Sequence, residues 1–162
     1  MVAVPHGQPT IRPMLTGDIV GVVAVEQASY PYPWSRRIFE QCLQAGYCCL
    51  VGETARGVVA HGIMMSAAGE AHILNLCVHP VARRSGIAWR MLHELLEVAA
   101  GAGMDTAFLE VRPSNAGAIT LYEQAGFARV GERPGYYPAP FGREDALIMA
   151  RALLPPQTHR DR

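Results

Sequence analysis

The chain has 162 residues, half of them hydrophobic and 17% charged, a composition that favours a folded domain over disorder. The 14 basic residues, all arginine, are balanced by 14 acidic residues, and this neutrality gives no support for nonspecific binding to nucleic acid or anionic membranes. Because lysine is absent, a Schiff-base lysine and a P-loop lysine are excluded.

The first half of the chain is predicted to hold a strand, two helices and three strands, over residues 9–14, 16–29, 36–45, 47–53, 57–67 and 70–80. Ser35 is placed to cap the second helix and Gly46 to end it. The segments "TARG" and "AG" separate the three strands and are typical of hairpin turns.

From residue 87 the apolar residues recur with helical spacing, and Gly101 and Gly103 end that helix near residue 102. A strand, a helix and two further strands are predicted over 105–113, 115–125, 127–132 and 144–153, with a long loop over 133–143. The order β-α-α-β-β-β-α-β-α-β-β predicts an α/β (α+β) fold: a mixed, twisted sheet of about seven strands with helices on both faces.

The N-terminal "MVAVPHGQPT" lacks the basic region of a signal peptide, and no apolar run approaches the length of a membrane span. The four cysteines form no C-x-x-C pair and the six histidines are scattered, so neither a disulfide framework nor a metal site is predicted. We therefore expect a cytoplasmic protein with no membrane partner and no metal.

The segment "RRSGIA", residues 83–88, lies between a predicted strand and the helix that begins at Ile87. A helix N-terminus carries unpaired N–H groups and the positive end of the helix dipole, so it is suited to bind an anion. Gly86 would let the backbone approach such an anion closely. Taken alone, the same residues also fit an exposed polar turn that starts a helix.

"RRSGIA" is similar to the R/Q-x-x-G-x-G/A signature of the GCN5-related N-acetyltransferases (GNAT), whose turn binds the pyrophosphate of coenzyme A. "LNLCVHP" resembles the central strand of that family. "PWSRRIF", "LEVRPSNAGAITLYEQAGF" and "YYP…GREDALIMA" resemble its RimI branch, which acetylates the N-terminal alanine of ribosomal small-subunit protein eighteen. The resemblance covers residues 9–153. It implies one GNAT domain over 9–154, with flexible termini at 1–8 and 155–162.

The resemblance also implies a set of residues that hold acetyl-coenzyme A, the cosubstrate: Leu76, Cys77, Val78, Arg83, Arg84, Ser85, Gly86, Ile87, Ala88, Trp89 and Asn115. In the family the strand that matches Leu76 to Val78 donates backbone hydrogen bonds to the acetyl group, and a bulge parts it from the next strand. Cys77 would thus act through its backbone, with an acyl-cysteine intermediate as the alternative. Asn115 alone would be an N-cap, and both roles are compatible.

Acetyl transfer to an amine requires a base for the amine and an acid for the departing thiolate. Glu110, on a strand expected beside "LNLCVHP", is positioned to accept the amine proton; the alternative is a surface carboxylate facing Arg112. Tyr122 lies two turns into a helix, and the resemblance implies that its phenol protonates the thiolate. The alternative for Tyr122 is a core tyrosine with a satisfied hydroxyl.

Substrate binding is expected in "YPYPWS" and "RPGYYPAPFGRED", through Trp34, Tyr136 and Tyr137, although ordinary aromatic loop packing fits them equally. Relatives often carry a polar or basic pair where this chain has Pro134 and Gly135, and we expect the difference to bear on peptide selectivity more than on catalysis. The resemblance implies an N-terminal ribosomal peptide as partner, with no direct nucleic acid contact. Another N-terminus, a lysine or a small amine is an alternative substrate, and a noncatalytic coenzyme A sensor is the alternative of another class.

Overall fold

A computed structural model of the chain describes residues 8–153, so nearly all of both predicted flexible termini lies outside the described residues. Seven strands form one sheet in the order β1-β2-β3-β4-β5-β7-β6. They are β1 (Thr10–Pro13), β2 (Cys48–Thr54), β3 (Gly57–Ala67), β4 (Glu70–Val78), β5 (Thr106–Val111), β6 (Ala128–Ala139) and β7 (Gly142–Ala152).

The α-helices are α1 (Ile19–Ser29), α2 (Arg36–Gln44), α3 (Ile87–Gly101) and α4 (Ala116–Gln124), and short 3-10 turns cover Thr16–Asp18 and Pro80–Ala82. The predicted element order and the α/β class with a mixed seven-stranded sheet are confirmed. Among residues 8–153, no helix combines the length and the apolar character needed to cross a membrane.

The predicted loop over 133–143 is wrong, because most of it is strand. β6 continues to Ala139 and β7 begins at Gly142, so only Pro140 and Phe141 form the turn. The register of this antiparallel pair shifts between Arg133 and Tyr137. Proline and glycine suggest a loop, but an irregularity in a hairpin accommodates them without breaking the strand.

The described residues divide into two compact units, and the first comprises residues 8–65 together with 73–95. The sequence-predicted cap of α2 is present, because the Ile38 amide donates to Ser35 Oγ at 3.4 Å, and Gly46 follows the helix with a φ of +73°. Two glycines allow α3 to pack closely on β2 and β3. A Cβ on Gly52 would lie 2.7 Å from Ile87 Cδ1, and one on Gly62 would lie 3.0 Å from Leu95 Cδ1.

Of the described residues, the second unit comprises 66–72 and 96–153. Within it β5 pairs antiparallel with β7, and β7 pairs antiparallel with β6. Helix α4 begins at the N-cap Asn115, whose Oδ1 accepts from the Ala118 amide at 3.2 Å, as predicted. Gly126 follows α4 with a φ of +91°, a conformation that glycine adopts without strain.

Candidate active site

The turn at residues 83–86 joins the 3-10 turn after β4 to α3. Arg84 and Gly86 have φ angles of 64° and 78°, in the left-handed region that a residue with a side chain seldom adopts. The Arg90 amide donates to Gly86 O at 3.1 Å and makes the first hydrogen bond of the helix. The N–H groups of Ile87, Ala88 and Trp89 come before that bond and have no acceptor within the helix. This geometry presents backbone donors at the positive end of α3, as an anion site requires.

Side chains fix this turn to the end of β4 and to the 3-10 turn. Arg83 Nε donates to Val78 O at 3.3 Å, and Ser85 Oγ donates to Ala82 O at 2.5 Å. Apart from the two chain neighbours of Gly86, no atom of residues 8–153 would lie within 4 Å of a Cβ built there, so these residues leave the space beside Gly86 open. Glycine is therefore required here by its backbone conformation rather than by packing within the chain.

The next residues of this helix divide between the core and the surface. Ile87 is buried against the unit and anchors the helix start, whereas Ala88 is half-buried. Trp89 is 39% exposed, and its ring centroid lies 4.2 Å from that of His93. Trp89 therefore offers an accessible aromatic face next to the turn.

On β4, the backbone carbonyls of the predicted acetyl-binding residues receive hydrogen bonds from the end of α1. The Tyr30 hydroxyl donates to Leu76 O at 2.8 Å, and Ser29 Oγ donates to Val78 O at 3.3 Å. The pattern-based reading of the sequence missed both donors, because periodicity does not show which strand a helix end will meet. Cys77, which lies between these two positions, is buried.

Burial raises the pKa of the Cys77 thiol to about 11. A catalytic cysteine needs its thiolate, which forms readily only where the pKa is lowered. This environment therefore favours a backbone role for Cys77 over an acyl-cysteine intermediate.

Glu110 lies on β5 with its side chain 26% exposed, and Arg133 Nε donates to its carboxylate at 2.6 Å. The pair spans β7, since Glu110 lies opposite Ile148 and Arg133 lies opposite Ala146. Arg133 was not among the predicted site residues, because it falls in the segment predicted to be a loop. Its position two strands away from Glu110 follows only from the sheet order.

Tyr136 and Tyr137 lie in the same cluster as Glu110. The interaction of the Tyr136 hydroxyl with the Glu110 carboxylate raises the pKa of Tyr136. Burial raises the pKa of Tyr137, and the nearby charge of Glu110 raises it further. The two rings are 4.9 Å apart at 80°, so three of the sequence-predicted site residues are brought together on this unit.

Arg112, the expected alternative neighbour of Glu110, forms hydrogen bonds with the hairpin of β6 and β7. Its Nη1 donates to Pro138 O at 2.8 Å and to Glu144 at 3.2 Å, and its guanidinium carbon lies 4.3 Å from the centre of the Tyr137 ring. Ser114 also donates to Glu144, through its amide and its hydroxyl, each at 3.0 Å. These hydrogen bonds lower the pKa of Glu144 and tie the hairpin to the start of α4.

Tyr122 is buried on α4, and its ring centroid lies 6.0 Å from that of Phe127.

Trp34, in the first unit, is half-buried; its ring lies 5.4 Å from Phe39 and packs against the core cluster of that unit. Core packing of Trp34, one of the two expectations for it, is thus observed. Tyr32, two residues before Trp34, is more exposed than Trp34, at 44%.

The model of the acetyltransferase (GNAT) family matches residues 16–127 of this chain. The [ribosomal protein bS18]-alanine N-acetyltransferase of Escherichia coli strain K12 is 36% identical over 141 residues, which are 87% of this chain and 95% of that protein.

Two solved structures resemble the fold over nearly its whole length. The crystal structure of the ribosomal-protein-S18-alanine N-acetyltransferase from Escherichia coli has a TM-score of 0.86 at 32% identity, and it covers 95% of this chain and 99% of that one. Ard1 from Thermoplasma volcanium has a TM-score of 0.82 at 26% identity, and it covers 91% and 99% of the respective chains.

Proposed function

The chain belongs to the acetyltransferase (GNAT) family and is an N-acetyltransferase, and on that premise we propose that it acetylates the N-terminal alanine of ribosomal protein bS18, with acetyl-coenzyme A as donor. The similarity to the Escherichia coli enzyme supports this substrate. The observation that carries the proposal is the partly exposed carboxylate of Glu110, which is paired with Arg133 and interacts with Tyr136 on one unit. Bacterial ribosomal proteins are made in the cytoplasm, where we expect the reaction to occur.

In this proposal the turn binds the cosubstrate. The backbone N–H groups from Arg84 to Trp89 donate hydrogen bonds to the pyrophosphate at the positive end of α3. The open space beside Gly86 supports this role, because a phosphate oxygen can approach the backbone there. Arg83 and Arg84 add positive charge, and the backbone of Leu76, Cys77 and Val78 holds the pantetheine arm and polarises the acetyl carbonyl. Asn115 contacts coenzyme A in addition to capping α4.

The proposed chemistry is direct transfer. Glu110 accepts a proton from the substrate ammonium, directly or through water, and the neutral amine attacks the thioester carbon. The new C–N bond forms as the C–S bond breaks. The Tyr122 phenol gives its proton to the coenzyme A thiolate, and the proton that the acylated nitrogen loses passes to the Tyr122 phenolate, directly or through water. An α-amino group has a pKa near ~8, against ~10.4 for lysine, so an N-terminus is the easier amine to deprotonate at neutral pH.

The hairpin of β6 and β7 is proposed to bind the peptide. Tyr136 is 47% exposed, and the Arg112 guanidinium packs on the neighbouring Tyr137 ring, so the hairpin combines an accessible and a packed aromatic ring. Trp34 completes the proposed contacts from the segment between α1 and α2. Pro134 and Gly135 lie where the β6 register shifts, so we expect them to alter peptide selectivity rather than rate.

The test is mass spectrometry of synthetic hexapeptides incubated with the protein and acetyl-coenzyme A. One peptide copies the alanine start of bS18; a control has a blocked N-terminus and one free lysine. We expect a single acetyl group on the alanine peptide alone. Acetylation of the blocked control would redirect the assignment to side-chain amines. Binding of coenzyme A without product from either peptide would favour a noncatalytic sensor.

A further inference from the structure

A buried carboxylate with no assigned role lies in the first unit. Glu26 of α1 is 1% exposed, and its oxygens accept hydrogen bonds from three other parts of the chain. His61 Nε2 on β3 lies 2.8 Å away, Asn75 Nδ2 on β4 lies 3.1 and 3.2 Å from the two oxygens, and the Trp34 amide lies 3.2 Å away. A buried carboxylate is retained only where such donors replace water.

These contacts tie the segment between α1 and α2, residues 30–35, to β4. The Glu26 carboxylate accepts hydrogen bonds from the backbone amide of Trp34 and from the side-chain amide of Asn75. The Tyr30 hydroxyl makes a second connection to β4, at Leu76 O. The segment contains Pro31 and Pro33 and no regular secondary structure, so these side-chain contacts help to set its position, together with the packing of Trp34 on Phe39.

We propose that Glu26, held by Asn75 and His61, is a positioning residue for the peptide substrate. It sets the position of Trp34 and its segment relative to β4, the strand proposed to hold the acetyl group. This inference rests on the proposed function only for its kinetic readout. Its structural statement, that Glu26 fixes the Trp34 amide, is independent of what the protein acetylates.

A metal site is the rival explanation. Ligand atoms of Glu26, His61 and Cys77 all lie within 4.8 Å of one another, and all three residues are buried. Both carboxylate oxygens, however, already accept hydrogen bonds, and Asn75 donates to each of them. The Cys77 pKa is also raised by burial, which disfavours the thiolate that a metal would bind. The contacts therefore describe a hydrogen-bond network centred on Glu26.

The first test compares Glu26→Gln, Asn75→Asp and the double variant in steady-state assays. In Glu26→Gln the new NH2 group faces hydrogen-bond donors and finds no acceptor among them. In Asn75→Asp the new carboxylate lies next to that of Glu26, and the two repel each other. The double variant restores one donor and one acceptor across the pair. We expect each single variant to raise the peptide KM about tenfold, the equivalent of one lost hydrogen bond, and the double variant to recover most of it. The KM for acetyl-coenzyme A should stay near wild type.

The second test is amide hydrogen exchange of Trp34 in the peptide-free protein, which needs no activity. We expect faster exchange in Glu26→Gln and slower exchange again in the double variant. If Glu26→Gln does not fold, recovery of folding and of Trp34 protection in the double variant supports the same pairing. An inactive wild type would reject the proposed function and leave this exchange test standing.

Three results would overturn the inference. One is unchanged Trp34 exchange in folded Glu26→Gln. Another is an equal rise in the KM of both substrates together with a lower melting temperature, which indicates general destabilisation. The third is stoichiometric zinc in the purified protein that is lost in His61→Ala, which indicates the metal site instead.

Discussion

Replacing Glu110 by glutamine separates a catalytic role from a structural one. The substitution keeps the size of the side chain and one carbonyl oxygen that can accept from Arg133 Nε or the Tyr136 hydroxyl. It removes the negative charge that takes the amine proton in the proposed reaction. Because the geometry of the cluster is retained, a change in rate will report on proton transfer.

The structure predicts a large effect on rate and a small effect on stability. A positioned general base contributes roughly 10²–10⁴ in rate, or about 2.7–5.4 kcal/mol of activation free energy. The ion pair that the variant weakens has side chains 26% and 56% exposed. Exposed pairs contribute about 0.2–1 kcal/mol to the free energy of unfolding. For a chain of this length, the upper end of that range lowers the melting temperature by only about 2–4 °C, and the lower end by less than a degree.

The assay is the initial rate of thiol release at saturating peptide and acetyl-coenzyme A, measured from pH 6.5 to 9.5. We expect the deficit of Glu110→Gln to shrink above about pH 8, where the α-amine loses its proton without help. Glu53→Gln is the matched control, since Glu53 also lies on a strand and accepts from an arginine, Arg12, at 2.7 Å. A Glu110→Gln rate equal to that of the control at neutral pH would refute the assignment of the base.

Three further predictions follow from the same geometry. Tyr122→Phe should lower kcat by roughly 10²–10⁴, and an unchanged kcat would reject Tyr122 as the acid. Gly86→Val should weaken acetyl-coenzyme A binding in calorimetry, because valine is strained at a φ of 78° and its side chain fills the space beside the backbone; equal affinity would contradict the anion site. The pKa values of Cys77 and Cys49 are raised to about 11 and about 12 by burial. Unfolded thiols ionise near ~8.5 while the folded ones stay neutral, so the urea midpoint should fall from pH 8 to pH 10, and a constant midpoint would argue against this burial.

Local signals in the sequence were sufficient for most elements of the fold. Ser35, Gly46 and Asn115 mark helix ends by the chemistry of their own side chains or backbones, and the structure places all three where they were predicted. The turn at 83–86 was identified in the same way, and its left-handed Gly86 agrees with the requirement for glycine. The roles of Glu110, Tyr122 and the coenzyme A residues remain predictions that the experiments above will test.

The hairpin of β6 and β7 shows where local signals mislead. Proline and glycine at 134 and 135 are typical of a loop, yet the strands continue past them because the register shifts there. The misjudged segment contains Arg133, so the sequence analysis could not anticipate the partner of Glu110. An ion pair across an intervening strand is a property of strand order, which no short window of residues contains.

The sequence by itself determined the order of the elements, the helix caps, the family's signature turn and the residue types available for acid–base chemistry. These features depend on neighbours within a few positions along the chain, and each residue's own conformational preference is enough to reveal them. Only the tertiary structure decided that Arg133 lies beside Glu110. It also decided that Glu26 is hydrogen-bonded to His61 and Asn75, which are 35 and 49 residues away along the chain. Such contacts arise when strands and helices pack, because burial of a carboxylate requires whatever donors the fold brings to it.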